Sequence, residues 1–122
     1  MKEVREVRFA ETRKGDVLIV AVSGEVGITT SPIFAQKLKD LVATGETRLV
    51  LDLGGVTYIG SAGLGAISEM AKSVRQKNGE LCLACVHYLN REVMNFFGLM
   101  PIVKICDRVD DALKLLNQPK TS

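Results

Sequence analysis

The stretch "VLDLGGVTYIGSAGLGAI", residues 50–67, runs from one structural pattern into another. Val50, Leu51 and Leu53 belong to an apolar run, "RLVLDLGG" (residues 48–55), that barely alternates and so reads as a strand buried on both faces. A glycine–serine turn follows. Beyond it, Leu64, Ile67, Ala71 and Val74 fall on one helical face, and Glu69, Lys72, Arg75 and Gln76 on the other. Asn78-Gly79 ends that helix in the left-handed conformation. A buried strand leading through a tight turn into an amphipathic helix is part of a β-α-β unit, and neighbouring segments should repeat it.

They do. "DVLIVAVSG" (residues 16–24), "ELCLACV" (residues 80–86) and "IVKIC" (residues 102–106) also read as buried strands. "VREVRF" (residues 4–9) alternates more, which predicts an edge strand, with "TRKGD" (residues 12–16) as the hairpin turn. Ser31-Pro32 reads as an N-cap followed by the first helical position. The helix it opens carries Phe34, Leu38, Leu41 and Val42 inward, opposite Gln36, Lys37, Lys39 and Asp40. A short helix is predicted from Asn90, through Val93 and Phe97, to Gly98. A last one is capped by Asp107, with Val109, Ala112, Leu113 and Leu116 facing in. The order β-β-α-β-α-β-α-β-α predicts an α/β fold: a mixed, mainly parallel sheet of about five strands with about four helices. No linker divides the chain, so one domain should span residues 1–122, with its core at about 4–117 and a disordered tail at 118–122.

Composition narrows the function. A chain of 122 residues that is 47% hydrophobic and 25% charged belongs with globular proteins. No apolar run approaches the roughly 20 residues of a membrane helix, and the charged N-terminus lacks a signal-like apolar segment. The expectation is a cytoplasmic protein without membrane insertion. The net charge is +2, and no basic run is interleaved with aromatics, so no nucleic-acid partner is expected. Three cysteines, an odd number, argue against a disulfide framework. Cys82 and Cys85 spell C-x-x-C, but on a strand rather than at a helix start, where positions three apart should face opposite sides. That pattern predicts core packing. With one His in the chain, neither a metal nor a cofactor is expected.

In parallel sheets of this kind, sites gather where strands end at their carboxyl ends. Two loops qualify: "GEVGITTS" (residues 24–31) and "YIGSAGLG" (residues 58–65). The second is no phosphate-binding loop of the Gly-x-x-x-x-Gly-Lys type, since the first lysine after it is Lys72. Its glycines at 60, 63 and 65 also break the Gly-x-Gly-x-x-Gly order of dinucleotide sites. A nucleophile elbow needs glycine two residues before the serine, and residue 59 is Ile. A hydrolase base would have to be His87, which has no partner set. Two roles for Ser61 stay open: an N-cap, or an exposed hydroxyl whose phosphate the helix N-terminus would tolerate. An enzyme is not expected.

These residues resemble a known family. "SGEV" at the end of the second strand, the block at residues 50–67, and "FGLMPIVKI" before a final "DDAL" helix are similar to a STAS domain. That is the domain of bacterial anti-sigma factor antagonists, found also in sulfate transporters. The likeness runs from about Arg8 to Leu116, and its most specific positions are Val56, Tyr58, Ile59, Ser61, Gly63, Leu64 and Gly65. The resemblance implies a partner switch. An anti-sigma factor that is a GHKL-type serine kinase binds the unphosphorylated antagonist and phosphorylates the serine that maps onto Ser61, and a phosphatase resets it. It also implies a partner-binding rim of Gly27, Ile28, Thr29 and Thr30 beside Gly60, Ser61, Ala62, Gly63, Leu64 and Gly65, although Leu64 reads as core by periodicity. Gly60 and Gly27 depart from the family, which usually has aspartate at both places. The alternative that this raises is a phosphorylation-independent STAS interaction module in a signalling or transport complex.

Overall fold

The unbroken apolar runs become the strands at the centre of the sheet, where both faces are covered. The computed structural model describes residues 6–96, 98–99 and 102–117. Five strands pair in sequence order: β1 (Arg8–Lys14), β2 (Val17–Val26), β3 (Arg48–Ile59), β4 (Glu80–Ala84) and β5 (Lys104–Cys106). β1 is antiparallel to β2, and every later neighbour is parallel. Four helices join them: α1 (Ser31–Ala43), α2 (Ser61–Gln76), α3 (Tyr88–Phe96) and α4 (Val109–Leu116). The mixed, mainly parallel α/β architecture is the one expected.

Successive strand residues serve different layers. Val20, Leu51 and Leu83 face α1, α2 and α3, packing with Phe34, Ile67 and Met94. Their neighbours Ile19, Val50 and Cys82 face the other way, under Ala112 and Leu116 of α4. Two buried faces remove the alternation from the sequence. Each fully buried aliphatic side chain contributes about 1.5–3 kcal/mol, and β2, β3 and β4 supply about half of the buried core, with most of the rest on the helices that cover them.

β1 lies further along the chain than its pattern predicts. Strand pairing starts at Arg8↔Ser23 and runs to Lys14↔Val17, so "TRK" is strand, and the turn is only Gly15 and Asp16. Gly15 supplies the positive φ of 62° that such a tight turn needs. As an edge strand, β1 is exposed along most of its length, so its sequence needs little apolar character. Only Phe9 turns inward, stacking on Phe34 with ring centroids 6.4 Å apart. Its charges pair outward, Lys37 with Glu11 at 2.5 Å and Arg13 with Glu46 at 2.6 Å, which also discourages edge-to-edge association. Val4 and Arg5 lie outside the described residues.

The other boundaries shift for local reasons. β3 continues through Gly54 and Gly55 to Ile59, and its register against β2 slips at two irregularities. A Cβ at Gly55 would lie 2.7 Å from that of Ser23, so glycine lets the strands stay paired there. α3 begins at Tyr88 rather than Asn90. Asn90 is instead buried within the helix, its Nδ2 donating to Val56 O at 3.4 Å. Phe97 lies outside the described residues. Arg108, not Asp107, holds the cap position of α4, while Asp107 accepts a hydrogen bond from Arg91 at 3.2 Å. Cys82 and Cys85 do not face opposite sides. Cys85 takes a φ of 60° just past β4, which turns its side chain back into the α4 layer with Cys82 and Cys106. All three are free thiols.

Candidate functional site

β2 and β3 end side by side, with Val26 paired to Ile59. Each leads into a helix through a short turn. The two turns are tied together by Gly60 N–H, which donates to Val26 O at 2.9 Å.

In the first turn the hydroxyl is consumed. Thr30, not Ser31, holds the cap position of α1. Its Oγ1 accepts from Gly27 N–H at 2.8 Å and donates to Glu25 O at 2.6 Å, so it staples the loop to itself. Ser31 is the first helical residue; it is buried, and its N–H donates to Gly27 O at 2.8 Å.

In the second turn the hydroxyl is left over. Gly60 holds the cap position in an extended conformation (φ −89°, ψ −179°) and has no side chain with which to cap. Ser61 is therefore the first residue of α2, and the expected N-cap role is not what it does. The first helical bond is Leu64 N–H to Gly60 O at 3.0 Å, which leaves the amides of residues 61–63 without a helical acceptor. Ser61 is exposed, and its hydroxyl has no hydrogen-bond partner among the described residues.

The surrounding rim divides into exposed and buried positions. Ile28 is 95% exposed, and Thr29, Ala62 and Gly65 are also open to solvent. Gly63 and Leu64 are not. Leu64 is in the core, and a Cβ at Gly63 would approach Val26 Cγ1 to 2.7 Å and Ile59 Cγ1 to 2.8 Å. These two residues press the start of α2 against the strand ends, so they cannot present side chains to a partner. At Gly65, by contrast, a Cβ would meet nothing within 4 Å.

Tyr58 belongs to this site, although its spacing in the sequence did not single it out as a contact. Its ring is 53% exposed and stands between the turns. The Cβ position of Gly60 lies 3.2 Å from Tyr58 Oη, and that of Gly27 lies 4.0 Å from Tyr58 Cε2. The sequence signal was an aromatic residue at an exposed strand position immediately before a turn.

Other reactive side chains are engaged elsewhere. His87 Nε2 lies 2.9 Å from Gly54 O, so a backbone hydrogen bond occupies it rather than Ser61. Burial pushes the Cys82 thiol up to about 12, with Cys106 and Glu80 adding to the shift. Burial likewise raises Cys85, helped by Asp52, and Cys106, helped by Asp111 and Asp107. Such thiols are poor nucleophiles near neutral pH. Among the described residues, no group of three His, Cys, Asp or Glu is arranged to hold a metal ion.

The strand–turn–helix block sits inside a longer match: the profile of the STAS domain covers residues 9–112. The chain belongs to the STAS domain family. BtrV of Bordetella bronchiseptica is 36% identical to this STAS protein over 91 residues, which is 75% of this chain and 78% of BtrV. The anti-sigma F factor antagonist of Paenibacillus polymyxa is 31% identical over 98 residues, covering 80% and 84% of the two chains. Among solved structures, an anti-sigma factor antagonist from Mycobacterium paratuberculosis superposes with a TM-score of 0.86 at 24% identity, covering 97% of this chain and all of that one. That likeness is one of fold. No helix among the described residues is long and apolar enough to cross a membrane.

Proposed function

We propose that this STAS protein is an anti-sigma factor antagonist, held or released by its partner according to phosphorylation of Ser61. The observation that carries the reading is the contrast between the two turns: Thr30 spends its hydroxyl on Glu25 and Gly27, while Ser61 is exposed and unpartnered among the described residues. Relatives named as anti-sigma factor antagonists support it. The partner is an anti-sigma factor that is also a GHKL-type serine kinase, and the switch operates in the cytoplasm. Ser61 Oγ attacks the γ-phosphorus of ATP, the bond to the β-phosphate oxygen breaks, ADP leaves, and a base on the kinase takes the hydroxyl proton. The phosphomonoester brings about −1.5 to −2 charges to the surface. The start of α2 accommodates them, since a helix N-terminus favours an anion by about 0.3–1 kcal/mol. A partner seated on a neutral surface does not accommodate them, and it dissociates. A phosphatase restores the hydroxyl by hydrolysis.

Partner contacts fall on Gly27, Ile28 and Thr29 of the first turn and on Gly60, Ser61, Ala62 and Gly65 of the second. The test is binding of purified GHKL-type anti-sigma factors from the same genome. Wild type should bind one of them, and Ser61→Asp should bind it at least tenfold more weakly. Equal binding by both proteins favours a second reading, a phosphorylation-independent interaction module in a signalling or transport complex. The neutral residues Gly27 and Gly60 beside Ser61 are what favour that alternative.

A further inference from the structure

A small notch lies between the two turns, with Ile28 on one side and Ala62 on the other. Its volume is about 120 Å³, and every residue lining it is uncharged. That is less than the roughly 150 Å³ of an engineered cavity that takes a benzene ring, so it suits one branched aliphatic side chain better than an aromatic one. Two large apolar groups stand at its edge in solvent, Ile28 at 95% exposure and Tyr58 at 53%. The notch stays open because positions 27 and 60 have no side chains: any atom added at Gly60 would come within 3.2 Å of Tyr58 Oη.

We propose that this notch is the anchor pocket for one uncharged aliphatic side chain of the partner protein, and that Tyr58 is the residue that sets that preference. The inference rests on the reading of this surface as the anti-sigma factor contact. A cationic side chain entering the notch would lose its water and face the positive end of α2, at a cost that a neutral one escapes. An aliphatic group instead gains contact with Ile28 and the Tyr58 ring. Ser61 lines the same notch, so a phosphate there would stand against a water-excluded apolar contact. The pocket therefore supplies the sensitivity that the switch needs: the anchor and the dianion compete for one space.

The experiment has two arms. In the first, the purified anti-sigma factor kinase is titrated with wild type, Tyr58→Ser, Ile28→Ser, Gly60→Asp and Tyr58→Phe, each checked for an unchanged thermal midpoint. The first three variants should bind at least tenfold more weakly and Tyr58→Phe within about threefold of wild type. Tyr58→Ser and Gly60→Asp binding within twofold of wild type overturns the proposal. In the second arm isobutanol is the probe and amide NMR the readout, with no partner present. The Ile28, Ser61 and Ala62 amides should shift saturably, and Gly60→Asp should remove the shifts; no shifts in wild type overturns the pocket. If isobutanol binds but no anti-sigma factor does, the functional reading fails and the pocket stands. Sedimentation completes the set: self-association of wild type that Tyr58→Ser abolishes assigns the notch to a second copy and overturns the assignment to a partner.

Discussion

Two turns side by side at the ends of β2 and β3 use the same residue chemistry in opposite ways. Both place a hydroxyl at the start of a helix. The Thr30 side chain bonds to Gly27 N–H and Glu25 O and so belongs to the loop's own architecture. The Ser61 side chain bonds to nothing among the described residues and faces solvent. The difference comes from one backbone step. At the first turn the hydroxyl residue is the cap, and at the second glycine holds the cap position, which pushes the serine one place into the helix. Place alone does not decide availability, since Ser31 holds the same first helical position in α1 and is buried, whereas Ser61 is exposed.

The largest effect should come from exchanging these roles. With the cognate kinase and ATP, Ser61→Ala should lose phosphorylation altogether, while Thr30→Ala should keep it at a rate near wild type, measured by phosphate incorporation. If Thr30→Ala also abolished incorporation while remaining folded, the separation of roles would break. Next come the two glycines of α2. Gly63→Ala should cost about 1–3 kcal/mol in denaturant unfolding, because its Cβ would press on Val26 and Ile59. Gly65→Ala has open space and an exposed helical position, so it should be neutral or stabilising by up to about 1 kcal/mol. A Gly65→Ala variant destabilised as much as Gly63→Ala would show that the turn is not sealed on one side and open on the other.

The hydroxyls themselves come third. Thr30→Ala should cost about 1 kcal/mol, the usual net worth of a lost hydrogen bond, because its hydroxyl ties Gly27 N–H to Glu25 O, and Ser61→Ala less than about 0.5 kcal/mol. Similar losses for the two would erase the contrast. The smallest effect concerns a buried group that should be inert where Ser61 is not. Cys82 is pushed from an ordinary 9.0 up to about 12, chiefly by burial. Between those values the unfolded chain has released the proton and the folded one has kept it, so stability should fall as pH rises from about 9 to about 12. Below pH 9 this contribution is constant. Cys82→Ala should flatten that alkaline slope, read from unfolding free energies across the pH range.

Much of the fold was legible because burial leaves a mark in the sequence. Val50 and Leu51 are both fully buried on opposite faces, and Leu64, Ile67, Ala71 and Val74 all turned inward as their spacing required. β1 was misplaced because an edge strand exposed on both sides leaves no such mark, and "TRKGD" reads as a turn. Cap positions were missed by one residue at Ser31, Ser61 and Asp107, since helix onset depends on backbone angles that flanking residue types only bias. The site's place at the β2 and β3 ends was readable from topology. Its apolar character was not, because Tyr58 becomes part of it only when β3 extends past Gly55 and stands the ring between Gly27 and Gly60.

The central claim is that Ser61, exposed at the first position of α2, is the hydroxyl a kinase takes, whereas Thr30 is bonded within its loop, Ser31 is buried and Thr29 lies outside either helix. The direct measurement is a phosphopeptide map of wild type after incubation with the GHKL-type anti-sigma factor and ATP. The account predicts phosphate on Ser61 and none on Thr29, Thr30 or Ser31. Phosphate on any of those three, or an unmodified Ser61 in a complex that demonstrably forms, would contradict it.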